Sequence, residues 1–328
     1  MVGFDPSKEK LSKAEHGAAG AVSGAATRFL CQPLDVIKIR FQLQVEPINP
    51  KFTNSKYQGL VQATQRIIRD EGITALWKGH VPAQILSIVY GFSQFLSFEI
   101  LTQQAWHTLP FLRDDSYRPF VHFICGGLAG TIATVASFPS DVVRTRLIAQ
   151  GEPKVYKGLA QAVTMIYKLE GPSAFFKGLS PTILQVAPHA GAHRRFLEFF
   201  ASHLARVQAE NDFYVQNANG SVGYVPISST GSLVCGSIAG ICAKAFVYPF
   251  DLARKRLQIQ GFQHAREGFG KPFTCNGLLQ CLYVTIRDET LLGLYKGLWP
   301  SLLKAAATSA LHFCIYEQTC HAIALAHR

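Results

Sequence analysis

The sequence predicts an all-α membrane protein of three tandem repeats, each with two membrane-spanning helices and one short surface helix. Together they make a six-helix bundle of pseudo-threefold symmetry around a central cavity. Three observations lead there. A proline, an acid two residues on and a base three further occur at Pro33, Asp35 and Lys38, at Pro139, Asp141 and Arg144, and at Pro249, Asp251 and Arg254, with the prolines 106 and 110 residues apart. Ordinary composition yields roughly 0.2 such triples by chance in a chain this long, so the pattern marks a triplicated unit. Six segments, 16–40, 80–102, 119–146, 179–202, 228–256 and 298–322, each reach the ~20 residues that a hydrocarbon core demands. Hydrophobic residues make up 48% of the chain and charged residues only 16%, with a mean hydropathy of +0.14. A soluble protein carries ~25% charged residues, and a lipid-facing surface accounts for the shortfall.

The repeats run over 13–107, 117–206 and 228–325. In the first helix of each, a GxxxG motif (Gly20 to Gly24, Gly126 to Gly130, Gly236 to Gly240) begins 13 residues before the proline. Small residues at that spacing let helix backbones approach where lipid supplies no hydrophobic drive. Most of the six segments carry polar residues every three or four positions, a stripe tolerable inside a membrane only against a water-filled interior.

An amphipathic stretch follows in each repeat, Gly59 to Asp70, Gly158 to Leu169 and Gly277 to Asp288, with the character of a helix lying on the membrane surface. Next comes an acid and, seven residues later, a Lys-Gly pair: Glu71 with Lys78-Gly79, Glu170 with Lys177-Gly178, and Glu289 with Lys296-Gly297. A lysine at the interface followed by a helix N-terminus suits a lipid phosphate. From each of these glycines to a later acid, Glu99, Glu198 or Glu317, is 20 residues in all three repeats, so the second spanning helices are rods of equal length.

The net charge of +11 favours anionic lipid and an anionic solute. No zinc finger, RNA-binding signature or basic-region heptad supports a nucleic-acid partner. The eight cysteines form no CxxC pair and five lie in apolar stretches, as small buried hydrophobes do. The N-terminus, with Asp5, Glu9 and Glu15, reads as neither a signal peptide nor a transit peptide. No GxSxG, HExxH, P-loop or Rossmann fingerprint points to an enzyme. His189 and His193 share a helix face at zinc spacing but lack a third ligand, so neither a metal nor a cofactor is expected.

Three bases within the spanning segments are candidate substrate contacts. Arg28 and Lys244 both stand five residues before their proline, with Thr134 as the repeat-two counterpart, and Lys304 lies seven after Gly297. An ionisable group at that depth marks a site, whereas one near the interface snorkels. Arginine and lysine suit a diphosphate. Gln84 and Gln185 are candidate polar contacts for the rest of the solute.

Taken together, the triplicated PxDxx[KR], the EGxxxxxKG marks, with Thr290 in place of the first glycine in repeat three, and the six-span layout resemble the mitochondrial carrier family over nearly the whole chain. The resemblance implies an inner-membrane, multi-pass exchanger with a single central site and alternating access. It also implies a matrix gate of ion pairs between repeats: Asp35 with Arg144, Asp141 with Arg254, and Asp251 with Lys38. Glutamines four residues after the base brace that gate, here Gln42 and Gln258, with Ile148 in their place in repeat two. A cytoplasmic gate is implied at Glu99, Glu198 and Glu317, but the family's basic partners are replaced by Thr102, Ala201 and Cys320. Cardiolipin or another anionic lipid is the partner implied for the Lys-Gly marks. Asp35 to Gln44, Lys78 to Ser87 and Ala149 to Tyr156 are most similar to family members that carry thiamine pyrophosphate, which the resemblance implies as substrate in exchange for nucleotides. An adenine nucleotide or coenzyme A carrier would use the same basic trio, and a proton channel or membrane scaffold is the more distant rival.

Overall fold

The computed structural model describes residues 12–48, 55–108, 117–152, 154–216, 229–262 and 273–326. Among them all regular structure is helical, in the order α1 (Lys13–Leu43), α2 (Leu60–Glu71), α3 (His80–Thr108), α4 (Arg118–Ala149), α5 (Leu159–Glu170), α6 (Leu179–Gln216), α7 (Ser229–Gln258), α8 (Leu278–Gly293) and α9 (Leu298–Ala326). The order is long–short–long three times, one round per repeat. Each long helix outruns its predicted span. At the start of α1 this has a local cause: Ser12 and Glu15 cap it reciprocally, satisfying two otherwise orphaned amide donors. α6 continues to Gln216, past the repeat boundary drawn at 206, through residues rich in good helix formers.

The short helices form where predicted, and Gly59, Gly158 and Gly277 are their extended N-caps. By length and composition, Ile73–Thr108 and Val121–Ala149 are apolar enough to cross a membrane.

The chain divides into two compact units. The first holds residues 1–177, 258–274 and 296–328, and the second 178–257 and 275–295. Within the first, α3 packs along α4 and α1 along α9. Its hydrophobic core sits beyond the repeat prolines, where Val36, Phe41 and Leu43 of α1 and Val143, Leu147 and Ile148 of α4 meet Ile67 of α2 and Ile166 of α5. Large apolar side chains farther along the long helices, such as Ile88, Phe92 and Phe95 on α3 and Phe123 on α4, are exposed instead. That distribution is the one a lipid-facing wall requires, since hydrocarbon solvates those side chains as well as a protein core does. In the second unit α6 and α7 come close at Gly240, where an added Cβ would lie 4.0 Å from His193 Nε2.

Candidate functional site

The proline of each repeat lies within a continuous helix, so the acid and base that follow sit one turn apart on the same rod. On α1 and α4 this brings Arg144 Nη2 to 2.5 Å from Asp35 Oδ2, the first of the three expected pairs. Asp35 also accepts from Lys304 of α9, with Nζ 2.6 Å from Oδ1 and 2.8 Å from Oδ2. One buried carboxylate therefore holds both an expected gate base and an expected substrate base. Lys38, half-buried, lies within electrostatic reach of the same carboxylate. Arg28, exposed on α1, lies within reach of Asp35 and Arg144 and donates to Ala83 O of α3 at 3.5 Å.

Gln84, half-buried on α3, places its amide nitrogen 3.4 Å from His80 Nε2. The described residues of the first unit thus bring Arg28, Arg144 and Lys304 close to the one carboxylate of Asp35. An excess of cations around one carboxylate is a site for an anion, because the charges repel one another until a second negative group arrives.

The other predicted contacts are placed as follows. Thr134 turns its hydroxyl back onto Gly130 O at 2.7 Å, a bond within its own helix. Lys244 is half-buried on α7, and Gln185 on α6 has a shielded Oε1 with no hydrogen-bond partner among the described residues. Asp251 and Arg254 are half-buried on α7. Gln42 is fully buried on α1. Gln258 donates to Asp141 Oδ2 at 2.5 Å and accepts from Thr145 Oγ1 at 2.6 Å, so this glutamine supports the acid of the preceding repeat. At the other end of the long helices Glu99, Glu198 and Glu317 are all exposed. Glu99 accepts from Gln103 at 2.7 Å and Glu198 pairs with Arg194 at 2.8 Å, partners one turn away on the same helix.

The Lys-Gly marks are built differently from a simple lipid anchor. Lys78 Nζ lies 2.5 Å from Glu71 Oε2 and 3.6 Å from Glu152. Lys177 Nζ lies 2.6 Å from Glu170 Oε2 and donates to Gln260 O at 2.9 Å. Lys296 Nζ donates to Gln44 O at 3.3 Å and Val45 O at 2.5 Å. Each ammonium thus reaches the segment just past the next repeat's first long helix, where unsatisfied carbonyls favour a cation. The three glycines have φ of +76°, +89° and +84°, a region that favours glycine. At Gly79 space is short too, because an added Cβ would meet Ile148 Cγ1 at 3.0 Å and Arg144 Cγ at 3.2 Å.

The sequence reading missed the groups that fix this end of the molecule. Arg40, Arg146 and Arg256 each stand seven residues after their proline and are almost completely buried. Arg40 forks onto both oxygens of Glu71, at 2.5 and 2.7 Å, and reaches Tyr57 OH at 2.9 Å. Arg146 forks onto Glu170, and Arg256 onto Glu289 with Thr285 Oγ1 at 3.0 Å. Arg40 and Arg146 also donate to a carbonyl near the end of the next repeat's long helix, Ile148 O at 3.3 Å and Gln258 O at 3.0 Å.

Burial alone would raise the carboxyls of Glu71 and Glu170. The arginine and lysine hydrogen bonds outweigh it and hold both below the usual range. Gln44 and Gln150, eleven residues after their prolines, clamp the backbone of Tyr57 and Tyr156 with paired bonds of 2.8 to 3.0 Å. The signal for all five residues was present, since identical spacing from each proline is the property that revealed the repeats.

The chain matches the family model described as mitochondrial carrier protein over residues 9–107, 115–208 and 226–325. It is 47% identical over 324 residues to the mitochondrial thiamine pyrophosphate carrier of Bos taurus, covering 98% of this chain and 97% of the relative. It is 45% identical to the Homo sapiens protein of the same name over 329 residues, 98% and 96% of the two chains. It is 36% identical to mitochondrial thiamine diphosphate carrier 2 of Zea mays over 324 residues, 96% and 95% of the two chains.

Proposed function

Because the chain belongs to the mitochondrial carrier family, a family of transporters and not of enzymes, we propose that it imports thiamine pyrophosphate across the mitochondrial inner membrane in exchange for nucleotides. Alternating access operates through one central site. The observation that carries this reading is the cation cluster around Asp35: Lys304 and Arg144 share one carboxylate with Arg28 close by, a constellation suited to a diphosphate. The names of the relatives supply the organic part of the solute.

Substrate phosphates take Lys304 and Arg28, with Lys244, Thr134, Gln84 and Gln185 contributing from the other helices. The matrix gate is the ring Asp35–Arg144, Asp141–Arg254 and Asp251–Lys38, braced by Gln42 and Gln258. The opposite gate uses Glu99, Glu198 and Glu317 without basic partners at Thr102, Ala201 and Cys320, so the empty carrier rests open to the cytoplasmic side. Cardiolipin phosphate docks at the helix N-termini following Gly79, Gly178 and Gly297, through backbone amides where Lys78, Lys177 and Lys296 point inward.

Uptake of thiamine pyrophosphate into liposomes loaded with a panel of internal anions tests the proposal. Lys304→Ala should abolish uptake, and unphosphorylated thiamine should compete poorly. Entry of adenine nucleotides or coenzyme A without thiamine pyrophosphate would overturn the substrate assignment.

A further inference from the structure

The most unusual residue of the cluster is one whose counterparts are apolar. The position after the Lys-Gly glycine is His80 in repeat one but Leu179 and Leu298 in the others. Four residues on stand Gln84, Ile183 and Leu302. Positions four apart share a helix face, so repeat one alone carries a polar pair where the fold is content with two aliphatic side chains. Packing does not call for it.

The pair's geometry says what it offers. Gln84 directs its amide nitrogen at His80 Nε2, at 3.4 Å. With the amide nitrogen as the donor, Nε2 is the acceptor and the ring carries its proton on Nδ1. Nδ1 is shielded from solvent and has no hydrogen-bond partner among the described residues. The ring is fixed from the side by Phe29, edge-on at 5.6 Å, and lies within electrostatic reach of Arg144 and Arg28. A shielded N–H donor without an acceptor is costly. Placed among cations, it suits an acceptor that is itself negative.

We infer that His80 is a further substrate contact, donating Nδ1–H to a phosphate oxygen, and that Gln84 is a positioning residue that fixes the imidazole tautomer. This rests on the proposed diphosphate substrate and adds a directional hydrogen bond to the point charges of Lys304 and Arg28. The assignment also changes the role of Gln84, which the sequence reading had made a direct contact.

Three substitutions separate this from a packing role. His80→Leu installs the residue of the other repeats. His80→Asn keeps a donor near Nδ1, and His80→Gln places its amide near Nε2 instead. In proteoliposomes His80→Leu should raise the apparent KM for thiamine pyrophosphate about ten-fold, the loss of one hydrogen bond to a charged group, with maximal rate nearly unchanged. His80→Asn should recover most of that loss and His80→Gln should not. Gln84→Leu should raise KM by a smaller factor, again without slowing the maximal rate.

Protection of the purified protein against thermal unfolding by inorganic pyrophosphate supplies a readout independent of transport. Protection should weaken in His80→Leu and return in His80→Asn. Unchanged KM and protection in His80→Leu, or equal rescue by asparagine and glutamine, overturns the inference. So does a wild-type protein that pyrophosphate does not stabilise. If pyrophosphate protects through His80 but thiamine pyrophosphate is not taken up, the transport assignment fails while the phosphate contact stands.

Discussion

The first and second repeats bury the same three charges in unequal surroundings. Around Arg40, the Glu71 side chain is 2% exposed and Lys78 11%, whereas around Arg146 the corresponding values are 16% for Glu170 and 34% for Lys177. The first anchor closes over Tyr57 OH. The second places its guanidinium 5.7 Å from the Phe262 ring, which stacks on Tyr156 at 4.7 Å. The charges are invariant across the repeats and the covering groups are local solutions. The third repeat keeps the arginine fork but gives up the glycine after the acid: Thr290 adopts φ +66°, ψ 178°, close to Gly72 at +84°, 165° and Gly171 at +80°, 178°.

The largest effect should come from emptying the drier anchor. Arg40→Met leaves Glu71 shielded with one cation fewer and should cost about 3–5 kcal/mol, with Arg146→Met costing less because water reaches Glu170. Thermal unfolding of the two variants in the same detergent checks this, and an equal or reversed order would mean that burial does not set the difference.

Next in size is Gly79→Ala. The left-handed backbone alone costs about 1–3 kcal/mol, and contacts with Ile148 and Arg144 add to it. Gly72→Ala, with nothing within 4 Å of the added Cβ, should pay only the backbone share. Equal losses at the two positions would dismiss the steric component.

Thr290→Gly should stabilise the third repeat by about 1 kcal/mol, relief of a strained dihedral less the entropy that glycine returns to the unfolded chain. A drop in the melting temperature would show that the threonine side chain contributes more than its backbone costs.

The smallest effect is on pH. Glu71 and Glu170 titrate below the ordinary value of 4.5, so their stabilisation is fully present above that value and is lost as pH falls through their folded values. Glu71→Gln should flatten the acid limb of a stability-versus-pH curve. An unchanged limb would assign the acid response to other carboxylates.

Much of this was legible in the chain before folding. The triplication and the long and short helices follow from spacing, because helical periodicity converts a fixed interval into a fixed face and depth, whereas the pairing of Asp35 with Arg144 was implied by the resemblance to the family. Arg40, Arg146 and Arg256 were equally periodic. They passed unnoticed because a base in a basic segment looks like surface until its burial is known.

What only the tertiary structure decided are the contacts between helices remote in sequence. That Lys304 shares Asp35 with Arg144 joins residues 269 and 109 positions apart, and no local pattern encodes that approach. The same holds for Lys296, read from sequence as an interfacial cation facing lipid and found on the carbonyls that follow α1. Sequence sets which groups are charged and how deep each lies on its own helix. Whether two of them meet depends on helix packing and on the cost of leaving either one alone in a medium that cannot solvate it.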